Sequence, residues 1–382
     1  MKIPLSNPDI SQKEIDAVVN VLNTPNLSLG PKLVEFERKF SDNIGLKYAV
    51  AVNSGTSGLH LCLRSLDIKD GDKVLTTPFS FISSANCILF ERAEPVFVDI
   101  DEKTLNVDID KLEDKIKQLK TQNSRLKAIL PVHIFGRPCE IDDIMSIAQD
   151  NELKVIEDAA EAIGSKYRPE DKEWKKVGTF GDCAVFAFYP NKQMTTGEGG
   201  MIVTDDENIY KLCRSIRNQG RSEDGAWLQH VRLGFNYRIS DINCALGIAQ
   251  LERIDEMLAK REKVARLYNA RLKEINGLII PQFEKNKKIS WFVYVVRLTD
   301  NFLHEDRDFI LDKLREKGIG CSNYFTPIHL QPFYRKMYGY RKGDYPVTEK
   351  ISERTIALPF YNNLKEEQIN YVCENLNKIM QF

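Results

Sequence analysis

No apolar run in the 382-residue chain approaches the length of a membrane span, and the first residues, Met1-Lys-Ile-Pro-Leu-Ser-Asn7, lack the apolar core of a signal peptide. A cytoplasmic protein with no membrane partner is expected. Net charge is almost absent: 54 basic residues against 55 acidic ones leave −1. This gives no support for general affinity to nucleic acid or to an anionic membrane surface, and no basic stripe is seen. Histidine is scarce, five residues in all, and the eight cysteines contain no Cys-x-x-Cys pair, so no metal site is expected. Several cysteines lie in apolar runs such as Leu61-Cys62-Leu63 and read as reduced core residues. Neither the dinucleotide-binding glycine fingerprint nor a Gly-Lys-Ser/Thr phosphate loop occurs, which disfavours a nicotinamide dehydrogenase and a P-loop enzyme. Internal repeats and low-complexity segments are absent as well.

What remains is an ordinary globular composition, 42% hydrophobic and 29% charged, in a chain too long for one core. Ser11-Gln-Lys-Glu14 is a capping box before Ile15, Val18, Val19 and Leu22, and Leu33, Phe36 and Phe40 share one face of a second helix. From residue 48 short apolar strands alternate with helices: 49–52, 73–77, 95–100, 128–133, 154–158 and 183–188. Helical periodicity occupies 57–66, 83–91 and 140–151 between them. Strands without polar alternation, separated by helices, predict an α/β fold with a mainly parallel sheet covered on both faces. Residues 165–176 form a polar insertion, read as a hairpin or surface excursion. A helical stretch from about 240 to 275 leads to a smaller α+β unit, with strands at 291–296 and 355–359 and helices at 307–317 and 365–380. Two domains are expected, a large one over 1–255, including the N-terminal helices, and a small one over 256–382.

The organising stretch is Val185-Phe-Ala-Phe-Tyr-Pro-Asn-Lys192-Gln-Met-Thr-Thr-Gly-Glu-Gly-Gly-Met-Ile-Val-Thr204. It places one lysine between two apolar strands. Burying an ammonium is costly unless it is paired or neutralised. Lys192 is therefore either a lysine snorkelling out of a turn or one that forms a Schiff base with an aldehyde. Asn53-Ser-Gly-Thr-Ser57 opens a helix after a strand, as a phosphate cradle or simply as a capped start. Asp158, in Ile156-Glu-Asp-Ala-Ala-Glu161-Ala, ends a strand where open α/β sheets place ligands; it reads as the partner of a cation or as a helix cap. Phe81, in Phe79-Ser-Phe81, could stack on a planar ring or pack in the core.

Together these suit pyridoxal 5'-phosphate, which has a phosphate, a flat pyridine, a ring nitrogen and an aldehyde. The ordered set of motifs, Asn-Ser-Gly-Thr-Ser, Phe-Ser-Phe, Pro-Val-His-Ile-Phe-Gly, Ile-Glu-Asp-Ala-Ala-Glu-Ala, Asn-Lys-Gln-Met-Thr-Thr-Gly-Glu-Gly-Gly and Gly-Phe-Asn-Tyr-Arg-Ile-Ser, resembles the DegT/StrS sugar-nucleotide aminotransferases over nearly the whole chain. The resemblance implies a fold type I large domain with a seven-stranded sheet and a homodimer whose subunits share active sites. It implies Lys192 as the cofactor-bonding lysine and proton shuttle, Asp158 on the pyridinium nitrogen, Phe81 over the ring, and Thr56 and Ser57 on the phosphate, with Asn236 reaching the phosphate from the neighbouring subunit. Arg238 would take the donor's carboxylate, and Tyr324, His329 and Ser28, in the Asn26–Gly30 loop, would set sugar preference, with a packed core histidine as the rival reading of His329. Glu161 stands where the family has Gln or His near the cofactor's 3'-oxygen, so it is either protonated or turned away. Ala187 replaces a serine that often binds the phosphate.

The implied reaction moves an amino group from L-glutamate to a nucleotide-linked 4-keto-6-deoxysugar, for surface polysaccharide or glycoconjugates. The alternatives are a 3-keto sugar aminotransferase, or a sugar dehydratase, which in this family carries histidine in place of the lysine. A non-enzymatic ligand sensor is a further one.

Overall fold

In the computed structural model, residues 1–170, 172–222 and 228–381 are described. Strands β1 (Tyr48–Val52), β2 (Lys73–Thr76), β3 (Glu94–Phe97), β4 (Leu126–Ile129) and β5 (Lys154–Asp158) come first along the chain. The polar insertion follows as the small hairpin β6 (Lys166–Tyr167) and β7 (Lys175–Lys176), antiparallel as expected, while Asp171 within it lies outside the described residues. Then come β8 (Cys183–Ala187) and β9 (Gly200–Thr204). The central sheet has seven strands in the order β1-β9-β8-β5-β4-β2-β3. Its pairings are parallel except at β9, which runs antiparallel to both neighbours. Apolar clusters cover both faces, which is why its strands carry no polar alternation. Phe36, Phe40, Phe186 and Phe188 interlock on one face with ring centroids 5.3–6.2 Å apart.

Two strands stop short of their apolar runs. β4 ends at Ile129 because Pro131 has no N–H to continue a ladder; the Pro131 carbonyl instead takes the Asp158 N–H at 2.9 Å. β3 ends at Phe97 rather than residue 100. The chain thus splays at the carboxyl ends of the sheet and opens a cleft there.

The C-terminal unit adds β10 (Leu278–Ile279), β11 (Lys287–Lys288), β12 (Tyr294–Leu298) and β13 (Thr355–Leu358). β10, β12 and β13 make a three-stranded antiparallel sheet, while β11 pairs with β6 of the insertion. The strand expected from Trp291 begins only at Tyr294, because the carbonyls of Trp291 and Phe292 are taken by the Arg261 guanidinium at 3.2 and 3.0 Å. A separate apolar core gathers Tyr268, Tyr294, Leu311 and Leu376. Ile3 belongs to that core, so the first residues, expected with the large unit, pack on the smaller one. The long helix expected over 240–275 is two, Asp241–Leu251 and Ile254–Leu272. The second begins on the large core with Ile254 and Met257 and continues onto the small core from Val264, which puts the 255/256 boundary in its first turn.

Arg253 occupies that break and ties it to the N-terminus. Glu14, the acid of the capping box, takes the Ser11 N–H at 2.7 Å and the Arg253 Nη1 at 2.8 Å, while Asp9 takes Arg253 Nη2 and Lys260 Nζ, each at 3.2 Å. Burial raises both carboxyls toward protonation, but hydrogen bonds from Asn362, Lys260 and Arg253 to Asp9, and from Ser11 and Arg253 to Glu14, outweigh it and hold each below its ordinary range. The folded state therefore binds these protons more weakly than the unfolded state. Its stabilisation is complete above the ordinary carboxyl range and is lost as pH falls through the lowered values. Glu14→Gln should cost about 3 kcal/mol at neutral pH, because it leaves the Arg253 charge less compensated. Urea titrations should show that deficit shrinking as the pH is lowered below 4.5, the ordinary Glu value.

Candidate active site

The splayed strand ends enclose a cavity of about 440 Å³. Lys192 sits on its floor, in the turn between β8 and β9. Its N–H bonds the Tyr189 carbonyl at 2.9 Å and its own carbonyl receives Arg261 Nη2 at 2.9 Å, which fixes the backbone of the turn. The side chain is 13% exposed. Nζ lies 3.3 Å from Glu161 Oε1 and 3.8 Å from the centroid of the Phe292 ring. A snorkelling lysine would put its ammonium in solvent; this one turns into the cavity.

Asp158 ends β5 and is 4% exposed. Its Oδ2 accepts from the Ser84 hydroxyl at 2.7 Å, which in turn lies 2.8 Å from the Ser80 hydroxyl, and its Oδ1 accepts the Ala160 N–H at 3.1 Å. Residues 159–161 form a turn, so Asp158 caps no helix. Among the described residues it makes no ion pair. Burial raises its carboxyl toward protonation, against the pull of Ser84, Ala160 and the Lys192 charge. A buried acid held by two hydrogen bonds and facing a cavity is set up to receive a cation.

Glu161 does not turn away. Oε2 accepts the Phe135 N–H at 2.8 Å and Oε1 faces Lys192, while burial raises its carboxyl against the opposing Lys192 charge. At the opposite wall Ser54 caps the helix Gly55–Ser65, and the first-turn amides of Gly55 and Thr56 lie where no intrahelical acceptor exists. Thr56 Oγ1 is 2.7 Å from Ser83 Oγ, and both side chains line the cavity. Ser57 does not: its hydroxyl and amide are engaged by Ser54 at 2.9 and 3.1 Å, so Ser83 takes the place expected of it. The walls meet closely here. A Cβ on Gly55 would lie 2.8 Å from the Ala187 Cβ, and one on Gly200 2.8 Å from the Ser54 backbone, so a small residue at 187 and glycine at 200 let the strands pass beneath the cradle. Phe81, 61% exposed, lies at the cavity, whereas Phe79 is wholly in the core. Tyr324 closes the C-terminal side, and burial, reinforced by Glu161, raises its phenol, keeping it a neutral donor.

Four expected residues lie elsewhere in the single chain. His329 is fully buried, with Nε2 3.0 Å from Glu349 and its ring against Tyr345 at 4.7 Å, and burial lowers its basicity; it is the packed core histidine. Ser28 bridges to Ser240, Asn236 bridges to Asn218, and Arg238 donates to Asn218 Oδ1 at 3.0 Å; none of them lines the cavity. The sequence reading missed Ser83, Ser84 and Phe292. The serines were findable, as hydroxyls at a helix start two residues past Phe81; Phe292 gave no signal beyond its alternation with Trp291.

The cavity fits pyridoxal phosphate on this chain's own features: an amine on its floor, a buried acid that makes no ion pair among the described residues, and a helix N-terminus whose first-turn amides stand beside the Thr56–Ser83 hydroxyl pair. Residues 8–377 match the model of the DegT/DnrJ/EryC1/StrS aminotransferase family. The chain is similar to the GDP-perosamine synthase of Escherichia coli O157:H7, 36% identical with 98% of each chain covered, and to the spore coat polysaccharide biosynthesis protein SpsC of Bacillus subtilis, 36% identical over 99% of this chain and 97% of SpsC. Among solved structures it superposes on the putative sugar aminotransferase Spr1654 of Streptococcus pneumoniae in its PLP form, with a TM-score of 0.92 at 27% identity, covering 100% of this chain and 99% of that one. No helix among the described residues is long and apolar enough to cross a membrane. The chain belongs to the DegT/DnrJ/EryC1/StrS aminotransferase family and is a pyridoxal phosphate-dependent aminotransferase.

Proposed function

We propose that the protein transfers the amino group of L-glutamate to a 4-keto-6-deoxysugar carried on a nucleotide, producing an amino sugar for surface polysaccharide or glycoconjugates. The observation that carries the reading is one amine, Lys192 Nζ, and one buried carboxylate without a cation, Asp158, opening on the same 440 Å³ cavity. A sugar acceptor is supported by the perosamine and spore-coat relatives, whose names concern sugar products.

Pyridoxal phosphate, when bound, supplies the electron sink that lets a Cα–H bond of the amino donor ionise. The chain does the rest. Lys192 Nζ takes up and returns the proton, held in place by Glu161 Oε1 and the Phe292 face. Asp158 keeps the ring nitrogen positively charged, with its two oxygens fixed by Ser84 and Ala160. The amides of Gly55 and Thr56 and the hydroxyls of Thr56 and Ser83 hold the phosphate. Tyr324 faces the sugar from the C-terminal side of the cavity.

A homodimer is part of the proposal. Leu228, Val231 and Leu233, close together in the chain, expose large apolar side chains at 56%, 51% and 70%, which a second copy would cover. Asn236 and Arg238 follow directly on the last of these and would reach the partner's phosphate and donor carboxylate. The test is to incubate the holoenzyme with glutamate and a panel of nucleotide-linked 4-keto and 3-keto sugars, identifying products by mass and NMR. Amination at C4 is expected. Amination confined to 3-keto sugars would move the ketone, and no aminated sugar from any member would overturn the reading.

A further inference from the structure

A second cavity, of about 380 Å³, lies behind the active-site wall between the 103–105 and 134–137 loops and the β10–β12 region. The backbone explains its separation from the first. Side chains alternate along the 291–297 segment, so Trp291, Val293, Val295 and Arg297 line the second cavity while Phe292 between them covers Lys192 in the first. Phe135 completes the partition. Its ring lines the second cavity, stacks on Phe325 at 5.6 Å, and its N–H holds Glu161.

The second cavity is apolar in its body and cationic at its edge. Trp291, Val293, Val295 and Ile134 are nearly fully buried, while Arg137 and Arg297 both line the space. Burial lowers the Arg297 basicity first, and the Arg137 charge adds to it against Glu102. Among the described residues Arg137 has one counter-charge, Glu284 at 2.8 Å, and its buried Nε has no partner; Arg297 gives Nη1 to the Glu102 carbonyl. Two neighbouring guanidiniums with donors to spare, over a pocket of indole and aliphatic side chains, are complementary to one kind of ligand.

We propose that this cavity is a binding site for a small anion with an apolar body, an aryl or branched alkyl carboxylate or sulfonate, its anionic group between Arg137 and Arg297 and its body against Trp291 and Val293. This site is separate from the one that carries the aminotransferase reading. Because Phe135 lines this cavity while its N–H holds Glu161, and the 291–293 segment faces both cavities, an occupant presses on the same elements that hold Glu161 and cover Lys192.

The probe is 1-anilinonaphthalene-8-sulfonate, titrated into the holoenzyme, whose cofactor occupies the first cavity. One saturable site per chain is expected, with energy transfer from tryptophan that Trp291→Phe reduces. Arg297→Gln should weaken binding about tenfold, the loss of roughly 1.4 kcal/mol from one charge-assisted contact. Val293→Phe, which fills the cavity and keeps both arginines, should abolish the saturable phase. Melting curves of both variants check that the fold is intact, and Arg297→Gln, half-buried and away from the cores, serves if the larger side chain does not fold. Unchanged affinity in folded Arg297→Gln, or a saturable phase that survives in folded Val293→Phe, overturns the proposal.

Discussion

Lys192→Ala is expected to lower turnover with glutamate and a ketosugar by about ten-thousand-fold or more, because one side chain provides both the covalent attachment and the proton transfer. The loss should fall on kcat. The cradle at Gly55, Thr56 and Ser83 and the acid at Asp158 are separate from Lys192, so cofactor should still be retained, noncovalently, as dialysis and phosphate analysis can show. Circular dichroism and melting should change little. The backbone of the turn is anchored by Tyr189 and Arg261 rather than by Nζ, and the Glu161 carboxylate keeps its Phe135 N–H. Near wild-type turnover in this variant would remove Lys192 from the chemistry altogether.

Asp158→Asn should lower turnover by about a hundred- to a thousand-fold, the loss associated with removing one pre-positioned electrostatic partner from a water-excluded site. It has a second consequence of opposite sign. Burial raises the Asp158 carboxyl, so the folded state holds this proton more tightly than the unfolded state does, and stability declines as pH rises from the ordinary carboxyl range through the raised value. Above that raised value the cofactor-free protein carries the whole penalty. The neutral amide keeps one oxygen to accept from Ser84 or Ala160 and has no charge to bury. Cofactor-free Asp158→Asn should therefore melt higher than cofactor-free wild type, while the order reverses on adding pyridoxal phosphate. A residue that merely packed would lower both melting points. Lower stability in the cofactor-free variant would contradict an uncompensated buried acid.

The strand ends explain how much of this was legible in the sequence. Lys192, Asp158, Phe81 and Thr56 each follow a short apolar run, and open α/β sheets gather such positions at one edge, so four local signals become one site. The parallel sheet was legible for the same reason: strands covered on both faces have no polar alternation to hide. Ser57 and His329 were misplaced because sequence spacing cannot say which way a side chain turns. Ser57 spends its hydroxyl on the cap of its own helix, and His329 is enclosed by Glu349 and Tyr345, which are distant from any motif. Phe292 and Arg261 were missed because their roles depend on long-range packing: Arg261, on a helix 69 residues beyond the lysine, clamps both the Lys192 turn and the Trp291–Phe292 carbonyls. The break at Arg253 was equally hidden, since its cause lies in Asp9 and Glu14 at the other end of the chain.

The most direct test of the account is to reduce the purified holoenzyme with borohydride and locate the cofactor by peptide mass mapping. The visible absorbance should bleach, and the cofactor-derived mass should appear on the peptide containing Lys192 and on no other lysine. A cofactor fixed to another lysine, or released quantitatively after reduction, would contradict it.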